Sequence, residues 1–160
     1  MPSAGPYLPP RPHSHLERLD ATRDAAHVGQ PLLSERAKIV VIDDTPEVLD
    51  LLEILLSDEG FEVVRCQEAS LAMDTVASSE PVLVIADLKM AGVDRWELVD
   101  ALMTDERTGH LPLIVCSGAV TELRAAEPRI QAHGGDVLVK PFDIQVLASM
   151  VRRLISGDHP

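Results

Sequence analysis

The stretch that decides the fold reads Lys38-Ile39-Val40-Val41-Ile42-Asp43-Asp44, an apolar run that ends in two adjacent carboxylates. Three later apolar runs likewise end in a polar side chain, at Asp87, Ser117 and Lys140. Runs this short, rich in Val and Ile and separated by helix-like stretches, are typical of parallel strands covered on both faces. In such open sheets the residues at the carboxyl ends of the strands face the ligand crevice. The sequence therefore predicts that three carboxylates, a hydroxyl and an ammonium meet at one edge of a sheet.

Strict alternation of strand-like and helix-like segments predicts an α/β fold, a doubly wound, right-handed parallel sheet of five strands with helices on both faces. The predicted strands are 38–42, about 61–66, 82–86, 111–116 and 137–139. The first predicted helix begins at Thr45-Pro46 and stops at Gly60. The other four are predicted to span 69–79, 94–106, 120–133 and 143–155. We expect the Thr45 hydroxyl to cap the first helix, and Pro128 to kink or split the fourth. The apolar stripe of the first helix is predicted to be Val48, Leu51, Leu52, Leu55 and Leu56.

Composition limits the classes of protein that the chain can belong to. Of 160 residues 46% are apolar but only four are Phe, Trp or Tyr, so the core must be aliphatic. The net charge is -12, and 22 of the 26 acidic residues lie in 37–160, which argues against direct nucleic-acid binding. We find no apolar stretch of the roughly 18 residues that a membrane span needs, and no secretory signal, so a cytoplasmic location is expected. Cys66 and Cys116 are predicted to be buried, reduced thiols.

The chain divides into three predicted regions. Residues 1–36 are expected to form a flexible, proline- and histidine-containing extension, with at most one short polar helix from Leu16 to Ala26. Residues 37–156 are predicted to be the folded domain, and 157–160 a short tail. Three histidines of the extension are interpreted as solvated side chains rather than a metal cluster; they are His13, His15 and His27.

Asp43, Asp44 and Asp87 form a predicted metal site if the first and third strands are neighbours. Three unscreened carboxylates at adjacent strand ends would repel one another and destabilise the fold. A divalent cation removes the conflict, and an all-oxygen site that retains water suits Mg²⁺ best. A single aspartate of this kind could be a helix cap or the start of a loop. Three of them beside Ser117 and Lys140 are difficult to explain as caps.

The combined set is suited to accepting a phosphoryl group. A carboxylate can attack phosphorus to form an acyl phosphate, and cations must then offset the charge on the transferred oxygens. Asp87 is the best candidate for the nucleophile, because its strand is predicted to lie between those that end in Asp43-Asp44 and in Ser117. Lys140 supplies a cation beside the metal, and the Ser117 hydroxyl can donate to a phosphoryl oxygen. Alone, Ser117 would be a turn residue and Lys140 a surface lysine.

Over residues 37–156 the sequence resembles the receiver domain of two-component response regulators. The resemblance is carried by Asp43-Asp44, by Asp87-Leu88-Lys89-Met90-Ala91-Gly92-Val93-Asp94, by Ser117-Gly118 and by Lys140-Pro141-Phe142. It implies a flavodoxin-like fold with strand order 2-1-3-4-5. It also implies phosphorylation of Asp87 by a histidine kinase or phosphotransfer protein, with Mg²⁺ held by Asp43, Asp44, Asp87 and the backbone carbonyl of Lys89. Ser117 would be the switch hydroxyl, and Lys140 the lysine that pairs with phosphate.

Four residues depart from the family pattern. Ala91 replaces a usual proline, Arg95 a frequent glycine, and Val137 the aromatic residue whose rotation usually reports phosphorylation. Ala119, two residues after Ser117, has no side chain that could orient a hydrolytic water, so a long-lived acyl phosphate is expected. The changes at Ala91 and Arg95 alter the loop after Asp87 but remove no side chain that the chemistry needs. Val137 puts the usual aromatic-switch output in doubt, though not phosphorylation itself.

Three functional hypotheses follow. The first is a stand-alone, single-domain receiver that is not an enzyme beyond Mg²⁺-dependent self-phosphorylation and self-dephosphorylation. It would signal by protein contact through the fourth helix, fifth strand and fifth helix, without binding nucleic acid or membrane, and would be free to form a homodimer. The second is a receiver-like scaffold that works without phosphate. The third is a phosphatase of the haloacid dehalogenase type, which is disfavoured because Thr45 stands where that type needs a second carboxylate.

Overall fold

The computed structural model describes residues 35–92, 94 and 96–157, in which five strands alternate with five α-helices. The strands are β1 (Lys38–Ile42), β2 (Glu62–Cys66), β3 (Leu83–Asp87), β4 (Leu113–Ser117) and β5 (Asp136–Val139). The helices are α1 (Pro46–Asp58), α2 (Ala72–Ser79), α3 (Glu97–Thr104), α4 (Val120–Ala132) and α5 (Ile144–Ser156), and a short 3-10 helix, Ala69–Leu71, precedes α2. The predicted features of residues 1–34 and 158–160, including the short helix and the three histidines, lie outside the described residues.

The five strands form one parallel sheet in the order β2-β1-β3-β4-β5, with β2 and β5 at its edges. This confirms the predicted fold class and the strand order that the resemblance implies. The register pairs Ile42 with Ala86 and Asp87 with Cys116. Asp43 therefore follows β1 level with Asp87, which places the two carboxylates on adjacent strands at the same height.

Two aliphatic layers cover the sheet. One face packs against α2, α3 and α4, and the other against α1 and α5. All five residues of β3 and of β4 are buried, as expected for central strands of a sheet covered on both sides. Cys66 and Cys116 are both buried free thiols, as predicted. In the described part of the chain, the helices lack the combination of length and apolarity needed to cross a membrane.

The first helix corrects two sequence predictions. α1 buries Leu49, Leu52 and Leu56, whereas Leu51 is 44% exposed. Seven of its positions are apolar, so periodicity alone could not decide which face meets the sheet. Thr45 is the N-cap residue, but its side chain makes no capping bond. Its backbone N–H instead donates to Asp43 Oδ1 at 2.9 Å, so the carboxylate orders the start of the helix.

Three other predictions can be compared with the structure. Pro128 lies inside α4, which runs unbroken from Val120 to Ala132, so the helix is not split, and a kink at this proline stays a prediction. The missing N–H leaves the carbonyl of Arg124 without its helical donor, and because Arg124 is exposed, water can satisfy that carbonyl. β4 begins after Pro112, which has no N–H for the ladder, rather than at 111. β5 begins one residue early, at a buried acidic side chain, Asp136.

Candidate functional site

The carboxyl ends of β1 and β3 bring three aspartates together. Asp43, Asp44 and Asp87 each offer a carboxylate oxygen, and these oxygens lie within 4.8 Å of one another. Asp43 is 3% and Asp87 is 8% exposed, whereas Asp44 is exposed. Clustered carboxylate oxygens with an open side are a suitable donor set for Mg²⁺, which keeps several of its waters. The three predicted metal ligands therefore lie together, close enough for one cation to contact all of them.

Lys140 reaches this cluster from the end of β5. Its Nζ lies 3.0 Å from Asp43 Oδ2 and 3.4 Å from Asp87 Oδ2. The backbone N–H of Lys140 donates to the Ser117 carbonyl at 2.9 Å, which continues the β4–β5 ladder by one residue. The peptide bond between Lys140 and Pro141 is cis. The ammonium thus lies between two buried carboxylates and balances part of their charge.

The local environment sets the pKa of two groups at this edge. Partial burial by itself lowers the pKa of the Lys140 ammonium, but the hydrogen bond to Asp43 and the charges of Asp43 and Asp87 outweigh it. The pKa of Lys140 is therefore raised, and the side chain is a cation at physiological pH. Burial raises the pKa of the Cys116 thiol to about 12, although the nearby Lys140 charge opposes this. Cys116 is therefore a neutral packing residue and not a nucleophile.

Ser117 and Lys89 occupy the neighbouring positions that were predicted. Ser117 is the last residue of β4, one residue beyond the partner of Asp87, and is 1% exposed. Its Oγ accepts the N–H of Ala119 at 3.0 Å. The N–H of Lys89 donates to Asp87 Oδ1 at 3.1 Å, which fixes the orientation of that carboxylate. The role of the Lys89 carbonyl as a metal ligand stays a prediction.

Two features were not predicted from the sequence, one at the site and one at the opposite, amino-terminal end of β5. The backbone N–H of Ala91 donates to Asp44 Oδ2 at 3.3 Å, and no side-chain pattern could reveal a backbone contact of this kind. On the α4–β5–α5 side, Asp136 accepts from Gln131 of α4 and forms an ion pair with Arg153 of α5. The available signal was an acidic residue directly before the apolar run 137–139. Val137 is buried in the layer that includes Leu123 and Ile130 of α4.

The family model described as the response regulator receiver domain matches residues 39–152. The chain belongs to that family. Receiver domains take part in signalling with histidine kinases and phosphotransfer proteins, and they bind Mg²⁺ at an acidic pocket. Asp43, Asp44 and Asp87 form an acidic cluster in this structure, and their role as Mg²⁺ ligands stays a prediction. This family match favours a receiver over the phosphatase hypothesis.

Relatives of known name agree with this assignment. The chain is 30% identical over 121 residues to the DNA-binding dual master transcriptional regulator RpaA of Synechocystis sp., covering 74% of this chain and 48% of that protein. It is 31% identical to the response regulator PleD of Caulobacter vibrioides, covering 74% of this chain and 26% of that protein. The chain therefore matches about half or less of the length of these relatives.

Solved structures show the same fold. A sensor protein from Polaromonas sp. JS666 superposes with a TM-score of 0.67 at 28% identity, covering 76% of this chain and 98% of that one. The chemotaxis response regulator CheY4 of Vibrio cholerae superposes with a TM-score of 0.65 at 22% identity, covering 74% of this chain and 98% of that one. The second likeness supports the fold alone.

Proposed function

We propose that Asp87 of this receiver accepts a phosphoryl group from the phosphohistidine of a histidine kinase or phosphotransfer protein, in a Mg²⁺-dependent reaction. The observation that carries the proposal is the position of Lys140 Nζ, within 3.4 Å of both Asp43 and Asp87 in a cluster of three carboxylates. Two buried carboxylates beside the exposed Asp44 repel one another and disfavour folding, and a bound cation would offset that cost.

The chemistry assigns one task to each side chain. An Asp87 oxygen attacks phosphorus, the bond from phosphorus to the donor histidine nitrogen breaks, and an acyl phosphate forms. Asp43 and Asp44, with the Asp87 carboxylate and the Lys89 carbonyl, would hold Mg²⁺, which when bound supplies positive charge opposite the transferred oxygens. Lys140 offsets the charge on another phosphoryl oxygen. The Ser117 hydroxyl can donate to a third while its oxygen accepts the Ala119 N–H.

Mass spectrometry tests this proposal directly. Incubation with acetyl phosphate and Mg²⁺ should add the mass of one phosphoryl group, and peptide mapping should place it on Asp87. The Asp87→Asn variant is the control and should gain no mass, because an amide cannot act as the nucleophile. Modification of that variant at the same level would contradict the assignment of Asp87.

The α4–β5–α5 surface is the proposed route to a downstream protein. Phosphorylation adds about -1.5 to -2 charges at Asp87, which would draw Ser117 and the loop to α4 toward the new oxygens. Val120 at the start of α4 and Val146 on α5 are 48% and 50% exposed, so a partner could cover apolar surface there. Because Val137 is a small, buried side chain in place of an aromatic, the change would pass through α4 itself rather than through rotation of a ring.

Nuclear magnetic resonance separates this function from a scaffold that works without phosphate. With beryllofluoride and Mg²⁺, a switching receiver should show shifts at Asp87 and Ser117 that extend along α4. Shifts confined to the Mg²⁺ ligands would favour the phosphate-independent scaffold. The same samples can be titrated with a candidate partner to locate its surface.

A further inference from the structure

Each carboxylate of the acidic cluster is held by a backbone N–H. Asp43 accepts the N–H of Thr45 at 2.9 Å, and Asp87 accepts that of Lys89 at 3.1 Å, both from two residues further along the chain. Asp44 differs, because its amide donor comes from Ala91, 47 positions away in the sequence, and this N···O distance of 3.3 Å is the longest of the three. The set is therefore complete only because the loop after β3 contributes one donor.

Asp44 is the carboxylate that most needs such a restraint. Asp43 and Asp87 are buried and also contact Lys140, whereas Asp44 is exposed. Its other described contact is with the Thr45 hydroxyl, at 3.5 Å from Oδ1, which is at the weak limit for a hydrogen bond. An exposed side chain with no firm contact samples several rotamers, and binding a cation would then require it to be ordered.

We propose that Ala91 is a positioning residue, whose N–H orients Asp44 toward Asp43 and Asp87 and so pre-forms the cation site. The inference rests on the proposed function, since it concerns the same Mg²⁺ site. A carboxylate has two oxygens, so Asp44 can accept the Ala91 N–H through Oδ2 and still offer Oδ1 to the cation. Groups that hydrogen-bond to metal ligands commonly set ligand orientation and metal affinity in this way.

The donor is a main-chain group, so its presence depends on one property of residue 91. Any residue except proline supplies the N–H, whereas a proline lacks it. Ala91 therefore contributes to the site through its backbone and not through its methyl group. Substitutions that keep the backbone N–H should therefore leave Mg²⁺ binding unchanged, whereas a substitution that removes it should weaken binding.

The experiment compares Mg²⁺ affinity in full-length variants by isothermal titration calorimetry with MgCl₂. Ala91→Pro removes the N–H, and Ala91→Ser is the matched control that keeps it. A third variant replaces the amide of residue 91 by an ester, through incorporation of lactic acid, and so removes the N–H without the restricted backbone of proline. Circular dichroism and thermal melting establish that each variant is folded.

Mg²⁺ binding should be on the order of threefold to tenfold weaker in both the proline and the ester variants, and unchanged in the serine variant. Exchange of the residue 91 amide proton with solvent, measured on the wild-type protein, should slow further when Mg²⁺ is added, because the bond is retained in the loaded site. If Ala91 merely stabilises the loop, the ester variant should instead melt at a lower temperature without binding Mg²⁺ more weakly.

Three results would overturn the inference. Unchanged Mg²⁺ affinity in the ester variant would show that the N–H has no role, while the acidic site and the proposed function would stand. Tighter binding would show that Ala91 competes with the cation for Asp44. Absence of Mg²⁺ binding in the wild-type protein would remove the site itself, and with it both the inference and the Mg²⁺ requirement of the proposed function.

Discussion

Lys140 is the single side chain on which the charge balance of the site depends. Without a bound metal, its ammonium is the described partner of two buried carboxylates. Lys140→Met should lower the free energy of unfolding at pH 7 by about 1–3 kcal/mol, because it leaves Asp43 and Asp87 buried without their cation. Urea denaturation in EDTA measures the change. Lys89→Met, which removes an exposed lysine beside the same cluster, is the control and should have little effect.

The stability difference between wild type and Lys140→Met should depend on pH. The pKa of Lys140 is raised above its ordinary value of 10.5, so its contribution is fully present below that pH and is lost as the pH rises through the higher folded-state value. The stability difference between wild type and Lys140→Met should therefore be constant from pH 7 to about 10 and shrink at higher pH. A stability difference that already shrinks when the pH is lowered from 7 to 6.5 would contradict this assignment.

Cys116 permits a second test at this scale. Because burial raises its pKa to about 12 and both cysteines are buried, neither thiol should react quickly with dithionitrobenzoate at pH 8 in the folded protein. Both should react at once in guanidinium chloride, where the thiols are exposed. Rapid reaction of one thiol in the native protein would show that its strand end opens to solvent.

Among the helices, α4 contains a residue that disfavours helical structure. Pro128 lies in the helix interior and removes a backbone hydrogen bond. Pro128→Ala should restore that bond and raise the free energy of unfolding by about 1–3 kcal/mol, as measured by chemical denaturation. Pro46→Ala is the matched control, since Pro46 occupies the first turn of α1, where its missing N–H costs nothing. A gain of equal size in the control would mean that the effect is not specific to the helix interior.

The elements also show which parts of the fold can be predicted from sequence. Strand ends were predictable at Asp43, Asp87, Ser117 and Lys140, because a short apolar run that stops at a polar residue marks both the strand and its end. The buried face of α1 was not predictable, since Leu49 and Leu51 are equally apolar and only the position of the helix on the sheet distinguishes them. Backbone donors such as the Ala91 N–H leave no trace in the side-chain pattern.

For the whole molecule, metal binding and folding should be linked. A ligand that binds only the native state stabilises it by mass action. At a Mg²⁺ concentration about ten times the dissociation constant, the melting temperature should rise by roughly 3–6 °C. Because the chain carries a net charge of -12, KCl at the same ionic strength is needed to separate specific binding from screening.

Asp43→Asn provides the control for this linkage. It removes one ligand charge and should abolish the increment that exceeds the KCl effect, while leaving the KCl effect in place. Differential scanning fluorimetry measures both. An equal Mg²⁺ increment in wild type and variant would place the cation somewhere other than the acidic cluster.

The two outer strands of the sheet influence how other proteins can approach. β2 exposes Glu62 and Arg65, and Arg65 is engaged by Asp50 and Glu53 of α1. β5 has only four residues and is followed within two positions by a proline. Short or charged borders of this kind discourage an incoming chain from adding itself as a sixth strand, whether in recognition or in aggregation. Partners are therefore expected to bind through helices and loops, which leaves the hydrogen-bonded interior of the sheet undisturbed during each encounter.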